Sequence, residues 1–183
     1  MAQYNGYRTV PHASYDEWRA TTWGNGYNVD YLYGNQCWDF CALLYWQYGL
    51  TLITKPGGGS AYECWTVSRN ANSRPPFISL ENKESIKRGD IIVWNRNNVH
   101  RNGHIAFADE NYDPNKNSIK AYGQNQGQGS SGPANVVEMS LNGFLGIFRN
   151  EEWIAPPVPP STPSKKKKFP WAVAWNNWPH FKQ

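Results

Sequence analysis

Asn28-Val29-Asp30-Tyr31-Leu32-Tyr33-Gly34-Asn35-Gln36-Cys37-Trp38-Asp39-Phe40 is the stretch on which the reading of the chain turns. It reads as a Gly-, Asn- and Tyr-rich loop that runs straight into the first turn of a helix. The helix continues through Cys41-Ala42-Leu43-Leu44-Tyr45-Trp46-Gln47-Tyr48 and stops at Gly49, a residue suited to ending it. Cys37, Phe40, Cys41, Leu44, Tyr45 and Tyr48 fall at the spacing of one helix face. Cys37 is therefore expected in the first turn, facing the body of the protein, where the helix dipole favours a thiolate. A nucleophilic cysteine needs that, although a buried inert cysteine would show the same pattern.

The same stretch holds a second pattern. Asn28, Asp30, Leu32, Gly34 and Asp39 occupy positions 1, 3, 5, 7 and 12 of a twelve-residue loop, the ligand spacing of an EF-hand. Asn28, Asp30 and Asp39 would give side-chain oxygens, and Leu32 and Gly34 backbone carbonyls. Such an all-oxygen set suits Ca²⁺. Alternatively, Asp39 is simply an acid favoured at a helix start.

Before the loop, Ser14 and Glu17 form a capping box for a short helix ending near Thr22. After the Cys37 helix, Ser60 and Glu63 open another, reaching to about Arg69. Strand patterns begin only past residue 86: Ile91–Trp94, His104–Ala108, Ser118–Tyr122, Val136–Met139 and Leu145–Phe148, about five in all. Helices first and an antiparallel sheet second is an α+β layout. Residues 155–164 form a proline-rich linker. A lysine run, Lys165–Lys168, and an aromatic tail at 169–183 follow. The expected division is a domain at 1–153, a linker at 154–168 and the tail.

Composition narrows the function. The chain has 183 residues, 10 Trp, 11 Tyr and a net charge of +4. The lysine run carries most of that charge, so nucleic acid is not the expected partner. No apolar run reaches membrane-spanning length. Three cysteines without a C-x-x-C pair favour neither a disulfide framework nor a zinc site. The first residues lack the charged and apolar regions of a signal peptide.

A cysteine nucleophile needs a base, and the base an orienting group. His104 opens a strand behind Gly103 and is the preferred base. His100, in the loop before it, is the competitor. Asn125 ends the next strand, where it could lie beside His104; Asp109 and Glu110 are alternatives at the far end of the His104 strand.

Four motifs now stand in order: Gly34–Phe40, Arg88–Trp94, Gly103–Phe107 and Gly123–Asn125. Together they resemble the CHAP family of cysteine, histidine-dependent amidohydrolases/peptidases, found in phage lysins and bacterial wall hydrolases. The resemblance covers about residues 23–148. It implies a papain-like fold, with Cys37 as nucleophile, His104 as base and Asn125 orienting the imidazole. Some members carry a glutamate where this chain has Gly123, and some carry a calcium loop where this chain has Asn28 to Asp39. The backbone N–H of Cys37 would hold the oxyanion, with the Gln36 side chain as second donor. The implied substrate is an amide bond of bacterial peptidoglycan. The protein would be made in a host cytoplasm and act at the wall. Two alternatives stay open: a virion tail-associated protein that binds tail proteins through 169–183, and a non-catalytic wall-binding module.

Overall fold

The computed structural model describes residues 10–127 and 131–154. The chain starts with α1 (Tyr15–Thr22), whose N-cap Ser14 accepts from the Glu17 N–H at 3.2 Å. The central helix α2 spans Cys37–Gln47, and Gly49 follows it with φ of +68°. It is more enclosed than its one-face pattern suggests. Asp39, Ala42, Leu43 and Gln47 are buried along with Cys37, Phe40, Cys41, Leu44 and Tyr45.

The helix expected from Ser60 to Arg69 is two short pieces, α3 (Glu63–Thr66) and α4 (Arg69–Asn72). The capping contact is present, with Ser60 N–H donating to Glu63 Oε2 at 2.6 Å. Ser68 marks the break. Its hydroxyl donates to Thr54 O at 2.6 Å, a side-chain bond that competes with helix continuation.

The sheet has six antiparallel strands, not about five, in the order β1-β6-β2-β3-β4-β5. They are β1 (Phe77–Leu80), β2 (Ile91–Trp94), β3 (His104–Ala108), β4 (Ser118–Gly123), β5 (Asn135–Ser140) and β6 (Phe144–Asn150). The additional strand is β1, paired only with β6 at one edge. A short helix, α5 (Glu151–Ile154), closes the described chain.

The sheet separates two cores. On the helix side, Phe40 and Cys41 of α2 pack with Trp18 of α1 and with Ile105 and Phe107 of β3. On the other side, Ile92, Trp94, Ala106, Ala121 and Ile147 cluster. Phe40 lies 5.5 Å from Phe107 and 5.3 Å from Tyr122, edge to face with both, a preferred aromatic arrangement. That packing sets the head of α2 against the start of β3.

Under the sheet edge, Arg149 makes a two-pronged pair with buried Asp90, at 2.8 and 2.7 Å. The pair holds β6 to the turn Arg88-Gly89-Asp90 that launches β2. Trp153 of α5 donates to His12 O at 2.9 Å and packs against Trp18, so the described fold extends to its last helix. No described helix is long and apolar enough to cross a membrane.

Candidate active site

Cys37 is the first residue of α2, as the loop-to-helix pattern predicts. It is 9% exposed and lies on the wall of an open groove of about 670 Å³. Tyr33, Trp38, Asn102 and the Gly57–Gly59 stretch complete much of the groove. The Cys37 sulfur meets the backbone of Ile105, the residue directly after His104. The thiol thus rests against the segment that carries the imidazole.

Burial works against the expected thiolate. Burial pushes the Cys37 thiol up to about 11, despite the opposing backbone hydrogen bonds to Ile105 and Trp38. Desolvation disfavours the charged form more than the helix start and these bonds favour it. Burial likewise pushes His104, 1% exposed, down to about 4, against the contrary pull of its hydrogen bond with Gln126. Burial thus works on both groups toward their neutral forms.

Asp39 organises the loop. One of its oxygens accepts from Val29 N–H at 2.9 Å and Asp30 N–H at 3.4 Å. The other accepts from Gln36 N–H at 2.9 Å. Burial nevertheless raises its carboxyl to about 6. Between these anchors Tyr31, Tyr33 and Gly34 all have positive φ, so the carboxylate holds a loop that coils tightly on itself.

This bears on the proposed metal ligands. Both Asp39 oxygens are engaged by backbone donors, and Asp30 Oδ1 accepts from Leu32 N–H at 2.8 Å. Asn28 Oδ1, by contrast, is buried without a hydrogen-bond partner. Among the described residues no three His, Cys, Asp or Glu side chains gather as a metal cluster. The set that fits a cation is therefore an oxygen set with few charges. It would draw on Asn28, Asp30 and the carbonyls of Leu32 and Gly34.

His104 opens β3, opposite Trp94 of β2. Gly103 before it has φ of +68°, and a Cβ there would stand 2.6 Å from both Trp94 O and Tyr62 Cβ. Only glycine fits that turn. His100 stacks on the imidazole, with ring centroids 4.9 Å apart and planes 29° apart. Its loop is well tied: Asn97 Oδ1 accepts from Val99 and His100 N–H, while His100 O accepts from Asn97 and Gly103 N–H. These bonds fix the loop that carries His100.

The residue at His104 Nε2 is not Asn125. It is Gln126, with Oε1 at 2.9 Å. Asn125, at φ of +56°, turns the other way. It donates to Gln36 Oε1 at 2.9 Å and accepts from Ser131 N–H at 3.0 Å. Gln124, fully buried, bonds Tyr27 through both its backbone groups and donates to Gln36 O at 2.6 Å. Three consecutive side chains after β4 thus fasten the loop, the residue before Cys37, and the imidazole. Gln126 stands in a Gly- and Gln-rich stretch, where no pattern in the sequence marks one glutamine from another. Asp109 is far from these groups in role, paired with Arg19 at 2.8 Å and with the Tyr15 hydroxyl at 3.0 Å. Glu110 pairs with Lys120 at 3.8 Å.

A CHAP domain model matches residues 24–125, more than half of the chain. The chain belongs to the CHAP family. Its CHAP fold is similar to that of the endolysin LysIME-EF1, with a TM-score of 0.55 at 19% identity over 75% of this chain and 64% of that one. It is also similar to Ly7917, solved alone and with the hydrolysing product of MDP, at a TM-score of 0.50 and 13% identity over 73% of this chain and 60% of that one. The chain thus spans less than two thirds of either structure. No curated protein sequence matches this CHAP chain.

Proposed function

We propose that this CHAP protein hydrolyses an amide bond of bacterial peptidoglycan by a thiol mechanism. The observation that carries the reading is Cys37: a thiol at the head of a helix, on the wall of an open groove, pressed against the segment that bears a buried imidazole. Two neighbours of the same fold, the endolysin LysIME-EF1 and Ly7917, the latter also solved with the hydrolyzing product of MDP, support the substrate class.

His104 takes the thiol proton as Cys37 Sγ attacks the amide carbon. The tetrahedral oxyanion is held by the Cys37 backbone N–H at the start of α2. Gln36 supplies a second donor: one amide hydrogen is committed to Tyr33 O at 2.5 Å, leaving the other. The intermediate collapses as the C–N bond breaks and His104 returns the proton to the leaving amine. Water, deprotonated by His104, then cleaves the thioester and releases the acid and the free thiol. Asn125 serves this chemistry by holding Gln36 rather than the imidazole. The bond cut is either the muramoyl–alanine amide or one within the stem peptide or cross-bridge.

A Ca²⁺ ion bound by Asn28, Asp30, Leu32 and Gly34 would neutralise Asp30 and stiffen the loop ahead of Cys37. The protein would act at the wall, with residues 169–183 reaching wall or virion tail proteins; the linker and tail lie outside the described residues.

The deciding experiment measures clearing of purified cell walls by wild type, Cys37→Ala and Cys41→Ser. Cys37→Ala is expected to lose at least about a thousandfold in rate, as nucleophile removal does, with its melting temperature kept. Cys41→Ser is expected to retain turnover per folded molecule. Wall clearing by Cys37→Ala at the wild-type rate would eliminate the thiol mechanism.

A further inference from the structure

The geometry points to Gln126 as the positioning residue that fixes the tautomer of His104, with Gly123 keeping open the space that Gln126 needs. The inference rests on His104 being the base in the proposed reaction, but its main test is independent of substrate.

The argument starts from the amide of Gln126. Its Nε2 donates to two carbonyls, Ala121 O and Asn135 O, each at 2.9 Å. Both amide hydrogens are thereby committed, and the NH₂ end cannot be exchanged with the oxygen end without setting an oxygen against two carbonyls. Oε1 is left to face His104 Nε2 at 2.9 Å. An amide oxygen only accepts, so Nε2 must carry the ring proton. In the neutral imidazole Nδ1 then holds the lone pair. Nδ1 becomes the basic nitrogen available to the thiol, and it stays so through each turnover.

The site requires an amide rather than a carboxylate. A glutamate would place an anionic oxygen against Ala121 O and Asn135 O. The residue is buried, 2% exposed, where an unpaired charge is disfavoured. Neutral Gln126 orients the ring without adding a charge to the pair.

Gly123 is part of the same device. The β3–β4 ladder covers only Phe107↔Tyr122 and Ala108↔Ala121, and beyond it the Gln126 side chain bridges the two strands. A Cβ on Gly123 would lie 2.9 Å from Ala106 Cβ and 3.2 Å from Gln126 Oε1. Any larger residue at 123 presses on the oxygen that reads the imidazole.

Among the described residues, the titratable group against His104 is His100, stacked on its face, while Cys37 meets the backbone of the next residue, Ile105. Trp94, with its ring 5.9 Å away, and Gln126 occupy other sides and do not titrate.

The test uses the full chain labelled with ¹⁵N-histidine. Imidazole nitrogen shifts and couplings report tautomer directly, with His104 assigned by its loss in His104→Ala. Wild type at pH 7 is expected to show Nε2–H with bare Nδ1. Gln126→Met keeps the volume and removes all three hydrogen bonds. It is expected to give a mixed tautomer and a kcat lowered by about 10- to 100-fold, with KM within about twofold. Gly123→Ala, which leaves every bonding group of Gln126 in place, is expected to move the tautomer ratio in the same direction. An Nδ1–H tautomer in wild type overturns the proposal even if Gln126→Met fails to fold. So does an unchanged tautomer and kcat in Gln126→Met. Correct tautomers without wall clearing would remove the proposed function and leave the positioning role standing.

Discussion

His104 shows how a single side chain ties chemistry to stability. Its folded-state value, about 4, lies below the ordinary histidine value because burial disfavours the imidazolium. The unfolded chain therefore binds more protons than the folded one between about pH 4 and 6.5, and stability must fall as pH drops through that window. The shift corresponds to up to about 3 kcal/mol once pH reaches the folded value. Urea melts of wild type and His104→Gln between pH 7 and 4.5 are expected to diverge, with the wild-type curve the steeper. Parallel curves would show that His104 is not buried neutral. The position of this residue was legible beforehand: a histidine after glycine at the start of an apolar strand. Cys37 was legible from helical spacing. Its protonation state was not, because the strength of desolvation depends on what the tertiary fold stacks around the sulfur. Asn125 was misplaced for a related reason. Adjacency of strand ends was inferred correctly, but the left-handed backbone at Asn125 sends its side chain to Gln36 and leaves the imidazole to its neighbour.

The element that matters most is the loop-and-helix unit from Asn28 to Gln47. Its helix was readable because apolar spacing, the acidic first turn and Gly49 all agree. The break between α3 and α4 was not, since it depends on Ser68 finding Thr54 O, a contact between distant segments. Strand β1 escaped for want of length: four residues behind two prolines give no period to count, and they become a strand because β6 offers a free edge. Calcium belongs at this scale. With Asp39 turned toward the backbone, few charges remain for the ion, so affinity should be in the extracellular-module range, about 10⁻⁴ to 10⁻³ M. Millimolar Ca²⁺ is expected to raise the melting temperature of EDTA-treated protein, and Mg²⁺ to do so less. Asp30→Ala should abolish the response. Equal melting with and without EDTA would mean the loop is held by Asp39 alone.

At the scale of the molecule, two cores share one sheet, and the candidate catalytic groups lie at the head of α2 and the start of β3. Trp153 still belongs to the helix-side core through Trp18 and His12, which sets a minimum length for the folded unit. A chain ending at residue 154 is expected to fold, with a melting temperature within a few degrees of the full chain, and to turn over purified wall at an unchanged rate. Removing Trp153 as well is expected to destabilise it by less than the ~3–5 kcal/mol lost with a fully buried tryptophan, since this ring is only partly buried. Collapse of the 1–154 chain in a thermal melt would place the tail in the core. The α+β layout was legible at this scale because helical and alternating periods occupy separate halves of the chain. The order of the strands was not, since β6 enters between β1 and β2 by long-range pairing that leaves no local mark.

Gln124 and Asn125 both hold Gln36, one by its backbone carbonyl and the other by its side chain, and Gln126 beside them holds His104. The consequence is genetic as well as structural. One residue gained or lost there would hand every side chain to the wrong neighbour, releasing the thiol loop and the imidazole in one event. A substitution within the triplet unfastens one partner; a change in its length unfastens them all.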